Sequence, residues 1–237
     1  MEQQGVLITG ATSGIGEQLA LDYARAGWNV LACGRNESSL QSISQQASGI
    51  TPLAFDITNY EETIAQLKEL PFVPNLWIFN AGDCEYLDDG KVDAKLIVRI
   101  MRINVEGLAN CLEGCQIHLK EGHHVGIVGS IASEFALPRA EAYGASKAAV
   151  MHMAESLRVD MRRSNVAVQL VNPGFIRTRL TDKNNFAMPF IMDPAPAADI
   201  FLRHMRRKKF SCSFPWGFGA FFRVSQFFPD WLYYRIF

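Results

Sequence analysis

A chain of 237 residues with 49% hydrophobic and 20% charged side chains can fill a sizeable core, which excludes a disordered or fibrous protein. Its formal charge of −1 provides no global positive field, so nucleic acid is excluded as a partner on electrostatic grounds. No apolar run reaches the ~18 residues a membrane-spanning helix needs. Met1-Glu2-Gln3-Gln4 lacks the basic and long apolar parts of a signal peptide, and a soluble cytoplasmic protein is the expectation.

Along the chain, short apolar or β-branched runs alternate with longer stretches at helical spacing. Val6-Leu7-Ile8 is read as the first strand, a glycine-punctuated turn follows, and a helix runs from Glu17 to Ala26. Asn29 to Cys33 is the second strand, Glu37 to Gln46 a helix, and Thr51 to Phe55 the third strand. Asn59, followed by Glu61 and Glu62, caps a helix that reaches Leu70. After Pro71 and Pro74 come the strand Leu76 to Phe79, a long helical region from Asp93 to Leu119, and the strand Val125 to Val128. Helical spacing covers Tyr143 to Arg163, and Val166 to Val171 is the sixth strand. Such alternation predicts an α/β fold: a Rossmann-like, doubly wound parallel sheet with helices on both faces, as one domain over residues 1–237. Its ligand crevice is expected at the carboxyl ends of the strands.

The five cysteines, Cys33, Cys84, Cys111, Cys115 and Cys212, form no CxxC pair, so neither a disulfide framework nor a metal site is expected. Cys111 and Cys115 fall one helical turn apart and are read as buried small hydrophobes.

Between the first strand and first helix lies Thr9-Gly10-Ala11-Thr12-Ser13-Gly14-Ile15-Gly16. Glycines there permit a tight turn and close approach of backbone to a pyrophosphate, while the helix start offers unpaired N–H groups and its dipole. In Tyr143-Gly144-Ala145-Ser146-Lys147 the i,i+4 spacing places an ammonium beside a phenol, and a cation is what a tyrosine needs to exchange protons near neutral pH.

The TGxxxGxG spacing resembles that of the short-chain dehydrogenase/reductase family. Further landmarks follow in order: Asn80-Ala81-Gly82 ending the fourth strand, Asn104, Ser130 ending the fifth, the YxxxK pair Tyr143 and Lys147, and Pro173-Gly174 with Thr178 after the sixth. The resemblance covers about residues 5–180 and implies roles. Tyr143 would be the general acid/base, Lys147 would hold the nicotinamide ribose and lower the tyrosine pKa, and Ser130 would bond the substrate oxygen. Asn104 would anchor a water linking Lys147 to solvent. It also implies a cofactor site made of Gly10, Thr12, Ser13, Gly14, Ile15, Gly16, Asn80, Ala81, Gly82, Tyr143, Lys147, Pro173, Gly174, Ile176 and Thr178. Asp56-Ile57 matches the family's acidic position near the adenine.

No acid follows the second strand, where Gly34-Arg35-Asn36 stands. A carboxylate there would favour NAD by accepting the ribose hydroxyls, whereas Arg35 offers a fork to a 2′-phosphate, so NADP(H) is expected over NAD(H).

The resemblance makes Phe175 to Pro194 a substrate lid, with Phe175, Leu180, Phe186, Met188, Phe190, Ile191 and Met192 suited to an apolar pocket or to packing the lid on the body. The acidic loop Asp83, Glu85, Asp88, Asp89 and Asp93, with Lys91, suits instead a cationic group or plain solvation. The basic run Arg203, Arg206, Arg207, Lys208 and Lys209 precedes an aromatic tail, residues 210–237, which suits peripheral membrane contact, packing on the body, or a subunit contact. The resemblance also implies a homodimer or homotetramer through the helices of Asn104 and Tyr143, which Leu108, Leu112, Val150 and Met153, read as outward-facing, would suit. The leading reading is an NADP(H)-dependent oxidoreductase acting on a small-molecule carbonyl or secondary alcohol. The alternatives are a non-catalytic NADP-binding redox sensor and a membrane-associated regulatory protein.

Overall fold

All six apolar runs become strands, because each is short, has a buried core and is flanked by turn residues. They are β1 Gly5–Thr9, β2 Asn29–Gly34, β3 Ile50–Ala54, β4 Leu76–Phe79, β5 His124–Val128 and β6 Ala167–Pro173. A seventh, β7 Ser211–Phe214, completes a wholly parallel sheet of order β3-β2-β1-β4-β5-β6-β7. The computed structural model describes residues 4–87, 91–207 and 209–215, together with 217, 228, 229, 231, 232 and 235. Asp88, Asp89, Lys208, Met1 to Gln3 and most of the aromatic tail lie outside the described residues.

Helices α1 Gly14–Arg25, α2 Glu37–Ser44 and α7 Pro194–Met205 cover one face of the sheet. There Leu19, Leu40 and Phe201 pack on Val6, Ile8, Val30 and Ile78. On the other face, α3 Tyr60–Lys68, α5 Gly107–Cys115 and α6 Glu141–Met161 bring Leu67, Cys111 and Val150 against Leu7, Leu31, Trp77 and Val125. Helix α4 Ala94–Met101 precedes α5. The caps behave as their chemistry requires: Asn59 Oδ1 accepts from Glu62 N–H at 3.3 Å, and Asp93 Oδ1 accepts from Lys95 and Leu96 N–H at 2.9 and 3.1 Å.

Four features differ from the sequence reading. Helix α1 begins at Gly14, not Glu17, so the end of the glycine turn is already its first turn. The long helical region is interrupted by a π turn at Arg102–Glu106, centred on buried Asn104. Helix α7 and strand β7 were not anticipated, although Asp193-Pro194 is a helix-start signal. β7 carries no β-branched residue and forms because β6 leaves an edge to pair. Finally, Leu108 and Val150 do not face outward: both are buried in the protein's own core, and Leu112 and Met153 pack against that core. Cys111 and Cys115 are core residues as expected, and burial pushes the Cys115 thiol up to about 12.

Because β7 runs parallel to the rest, the two ends of the C-terminal region separate. Arg203, Arg206, Arg207 and Lys209 precede β7 at the amino end of the sheet, whereas Phe214 and Pro215 emerge at the carboxyl end. Among the described residues no helix is long and apolar enough to cross a membrane.

Candidate active site

Strand order reverses between β1 and β4, and the crevice opens at the carboxyl ends of these strands. Thr9 is the hinge of the construction. Its Oγ1 accepts from Asn80 and Ala81 N–H at 3.0 and 3.1 Å, while Asn80 Nδ2 donates to Thr9 O and Gly10 O at 3.1 and 3.2 Å. The NAG turn therefore braces the glycine turn. Gly10 and Gly14 take φ of +67° and +60°, a region that costs glycine little. A Cβ on Gly16 would lie 2.3 Å from Gly10 O. These constraints leave Ser13, Gly14 and Ile15, at the start of α1, lining the cavity. Ser13 makes no side-chain cap, so the helix start keeps its N–H groups for a ligand.

The cavity measures about 440 Å³, and its lining includes every residue anticipated for the cofactor except Gly16, whose part is to let the turn close. Arg35 and Asp56 form its outer wall, 3.6 Å apart. Asp56 Oδ1 accepts from Thr58 N–H and Oγ1–H, both at 2.9 Å. Burial pushes the Asp56 carboxyl up, but these bonds and the Arg35 guanidinium outweigh it and hold the group below its usual value. A backbone cradle with helix N–H groups at one end fits the phosphates of a nicotinamide dinucleotide.

Three of the four anticipated catalytic side chains meet where this cradle gives way to an apolar chamber. Tyr143 and Lys147 project from α6 into the cavity, with Lys147 Nζ 5.9 Å from the Tyr143 ring centroid. Lys147 is buried, and Nζ donates to Val128 O at 3.0 Å. The Ser130 side chain lines the cavity with Tyr143, its hydrogen bonding there acting to lower the phenol's pKa, and its Oγ accepts from Ala132 N–H at 3.1 Å. Burial pushes the phenol well above its ordinary value, charge on the nearby Cys84 thiol adds to the rise, and the Ser130 bond opposes it. Burial brings the Lys147 ammonium down to about 8, with Cys84 opposing.

Asn104 stands behind the cavity. Its Nδ2 donates to Asp83 O and Ser146 Oγ, both at 2.9 Å, and its Oδ1 accepts from Asp83 N–H at 2.8 Å. Both N–H donors are committed to protein, so the side chain ties the NAG turn to α6. Gly82 fits between Asn104 Oδ1 and Lys147 Nζ, which would lie 3.0 and 3.5 Å from a Cβ there.

On the substrate side, only Phe175 and Leu180 of the seven anticipated lid side chains line the cavity. Phe186 backs them, its ring centroid 6.1 Å from Phe175 and 4.9 Å from Tyr86 in edge-to-face contact. Phe190 is exposed, and Met192 packs on the core. The two ends of the lid are stitched together: Met192 N–H donates to Phe175 O at 2.9 Å and Arg177 N–H to Met192 O at 2.8 Å. The acidic loop turns its described carboxylates to local work. Asp83 accepts from Cys84 N–H, Glu85 pairs with Arg99, and Asp93 caps α4. Sequence reasoning missed Tyr86, Leu137, Asn184 and Arg179 as lining residues. Tyr86, with its ring 6.4 Å from Tyr143, sits inside the stretch whose acidic composition drew attention instead.

A glycine turn at the switch point of a doubly wound sheet, faced by a tyrosine and a lysine one helical turn apart, defines the class of Rossmann-like dehydrogenases. The chain belongs to the short-chain dehydrogenase/reductase family of oxidoreductases: the family model described as short chain dehydrogenase matches residues 4–188. It is 35% identical to an uncharacterized oxidoreductase from Myxococcus xanthus, over 98% of this chain and 96% of that protein. It is 31% identical to the mouse dehydrogenase/reductase SDR family member 7B, covering 74% of this chain but 58% of the mouse protein. Among solved structures, a short chain dehydrogenase from Burkholderia cenocepacia, in complex with NADP, superposes with a TM-score of 0.86 at 24% identity, over 99% of this chain and 97% of that one.

Proposed function

We propose that this protein is an NADP(H)-dependent oxidoreductase that interconverts a carbonyl and a secondary alcohol on an apolar small molecule. One observation carries the reading: in a single cavity, Tyr143 with Ser130 and Lys147 stands between a phosphate-type backbone cradle and a chamber that Tyr86 and Phe175 help to line. Arg35 at the outer wall, with no carboxylate at the end of β2, supports NADP(H) over NAD(H). The NADP complex of the Burkholderia structure favours this choice. Glu85 and Asp93 are committed elsewhere, and Tyr86, Leu137, Phe175 and Leu180 in the lining favour a substrate with an apolar body.

Ser13, Gly14 and Ile15 with Arg35 would hold NADPH, which when bound would supply the hydride for the reduction direction. Tyr143 gives the phenolic proton to the substrate oxygen, and its high pKa in the free protein keeps that proton in place until substrate arrives. Ser130 donates to the same oxygen as negative charge develops on it. Lys147, with a pKa of about 8, holds ribose hydroxyls and faces the phenol, so it can return the proton that Tyr143 spends. Asn104 fixes the wall between Lys147 and the NAG turn. Phe175, Leu180 and Tyr86 exclude water from the reacting atoms. A redox sensor needs none of the proton-transfer set, which is complete here. A homo-oligomer remains our expectation, resting on family resemblance and not on Leu108 or Val150.

The test is NADPH oxidation with 1-phenyl-1,2-propanedione as carbonyl probe. Tyr143→Phe should lower kcat by about a thousandfold while leaving NADPH affinity intact. An active Phe variant removes Tyr143 from the mechanism.

A further inference from the structure

Glu134 closes the turn that holds Ser130, and neither the motifs nor the mechanism above uses it. Its Oε1 accepts from Ser213 Oγ at 2.6 Å and from Asn172 Nδ2 at 3.2 Å. These two donors face each other in the β6–β7 ladder, next to the pair Pro173 and Phe214. The backbone of the turn folds back on Ser130. Glu134 N–H donates to Ile131 O at 3.0 Å, and Ser133 donates to Ser130 O through N–H at 3.0 Å and Oγ at 2.6 Å. On the strand side, Asn172 is buried, and its Oδ1 lies 2.1 Å from where a Cβ of Gly129 would stand. Gly174 N–H donates to Phe214 O at 2.7 Å. The Ser130 turn, the Pro173-Gly174 turn and the end of β7 thus meet at one carboxylate oxygen.

We propose that Glu134 is a positioning residue for the reaction, holding the Ser130 turn against the ends of β6 and β7 so that the Ser130 hydroxyl stays in place beside Tyr143. The inference rests on the reading of Ser130 and Tyr143 given above. Bonds to an ionised acceptor are the stronger kind, and here two neutral donors from adjacent strands share one. A consequence is that the β7 segment, remote in sequence from the motifs, bears on the proton-transfer step. The Ser130 bond lowers the phenol's pKa, so a turn that slackens leaves the phenol less acidic.

Glu134→Ala removes both bonds, whereas Glu134→Gln keeps an oxygen that accepts from both donors. The readouts are NADPH oxidation with 1-phenyl-1,2-propanedione across the pH range, NADPH affinity, and amide hydrogen exchange of residues 129–134 and 211–214. Glu134→Ala should lose about tenfold or more in kcat, as misplacement of a reacting group does. Its kcat–pH midpoint should move upward, NADPH affinity should hold, and exchange in both segments should quicken. Glu134→Gln should restore all of these. Ser213→Ala, which removes the shorter bond, carries the same prediction at smaller size should the Glu134→Ala chain fail to fold. Wild-type kcat and pH midpoint in the variant overturn the inference, as does unchanged exchange, which decides the matter even if the dione is not turned over. An active Tyr143→Phe chain instead counts against the underlying reading, so the two failures are distinguishable.

Discussion

Where the nucleotide half of the cavity presents backbone, bent at Gly10 and Gly14 and braced by Asn80, the substrate half presents side chains from loops far apart in sequence. Tyr86 comes from the segment after β4, Leu137 from the turn after Ser130, and Phe175, Leu180 and Phe186 from the segment after β6. The first half is a local object, with its essential geometry carried by eight consecutive residues and one bracing turn. The second exists only once the sheet has brought three loops to one end. A phosphate cradle can therefore stay fixed while the chamber beside it varies, which is how one fold hosts many substrates.

The comparison breaks most directly at Gly16. A Cβ there would stand 2.3 Å from Gly10 O and 2.4 Å from Asn80 Nδ2, so Gly16→Ala must push the two turns apart. It should cost about 3 kcal/mol of stability and lower NADPH affinity about a hundredfold, read by denaturant titration and fluorescence binding. Retention of wild-type affinity would show that the cradle does not depend on that close approach.

Lys147 lies at the boundary of the halves and gives a pH signature. In the folded chain its pKa is about 8 against an ordinary 10.5. Between these values the unfolded chain carries a proton on Lys147 that the folded chain lacks, so the Lys147 contribution, read as the stability of the cofactor-free wild type minus that of Lys147→Met, should rise with pH across that window. The raised thiols and phenols of the core act in the opposite sense and are common to both chains. The Lys147→Met chain lacks the rising contribution. Below pH 8 the substitution should stabilise the protein by about 2 kcal/mol, relief of the buried charge outweighing loss of the bond to Val128. A pH-independent difference between the two chains in this window contradicts the assignment.

The smallest effect belongs to the chamber. Phe186→Ala removes the edge-to-face contact with Tyr86, worth about 1 kcal/mol. It should raise KM for 1-phenyl-1,2-propanedione about fivefold while leaving NADPH affinity unchanged. A matching loss in NADPH affinity would show that the halves are not separable.

How much of this was legible in the sequence follows from the same contrast. The six strands, the glycine turn, the NAG brace and the Tyr143–Lys147 pair were readable because each depends on neighbours within a few residues. The π turn at Asn104 was not, since it is set by bonds to Asp83 and Ser146, distant in sequence. β7 was hidden because its four residues have no strand signature and take their conformation from the edge of β6. Leu108 and Val150 were read as outward-facing because periodicity finds an apolar stripe without saying which neighbour covers it. Tyr86 could have been found by asking which aromatic residue follows the NAG turn.

The central claim, that the cradle binds NADPH and prefers it through Arg35, is tested by thermal stability of wild type and Arg35→Ala chains with NADPH, with NADH and with neither. The account predicts that NADPH at a hundredfold excess over its dissociation constant stabilises the wild type by about 2.7 kcal/mol. It predicts a far smaller effect of NADH at the same concentration, and loss of the difference in Arg35→Ala. Equal stabilisation by the two cofactors would contradict the role of Arg35, and no stabilisation by either would contradict the cradle itself.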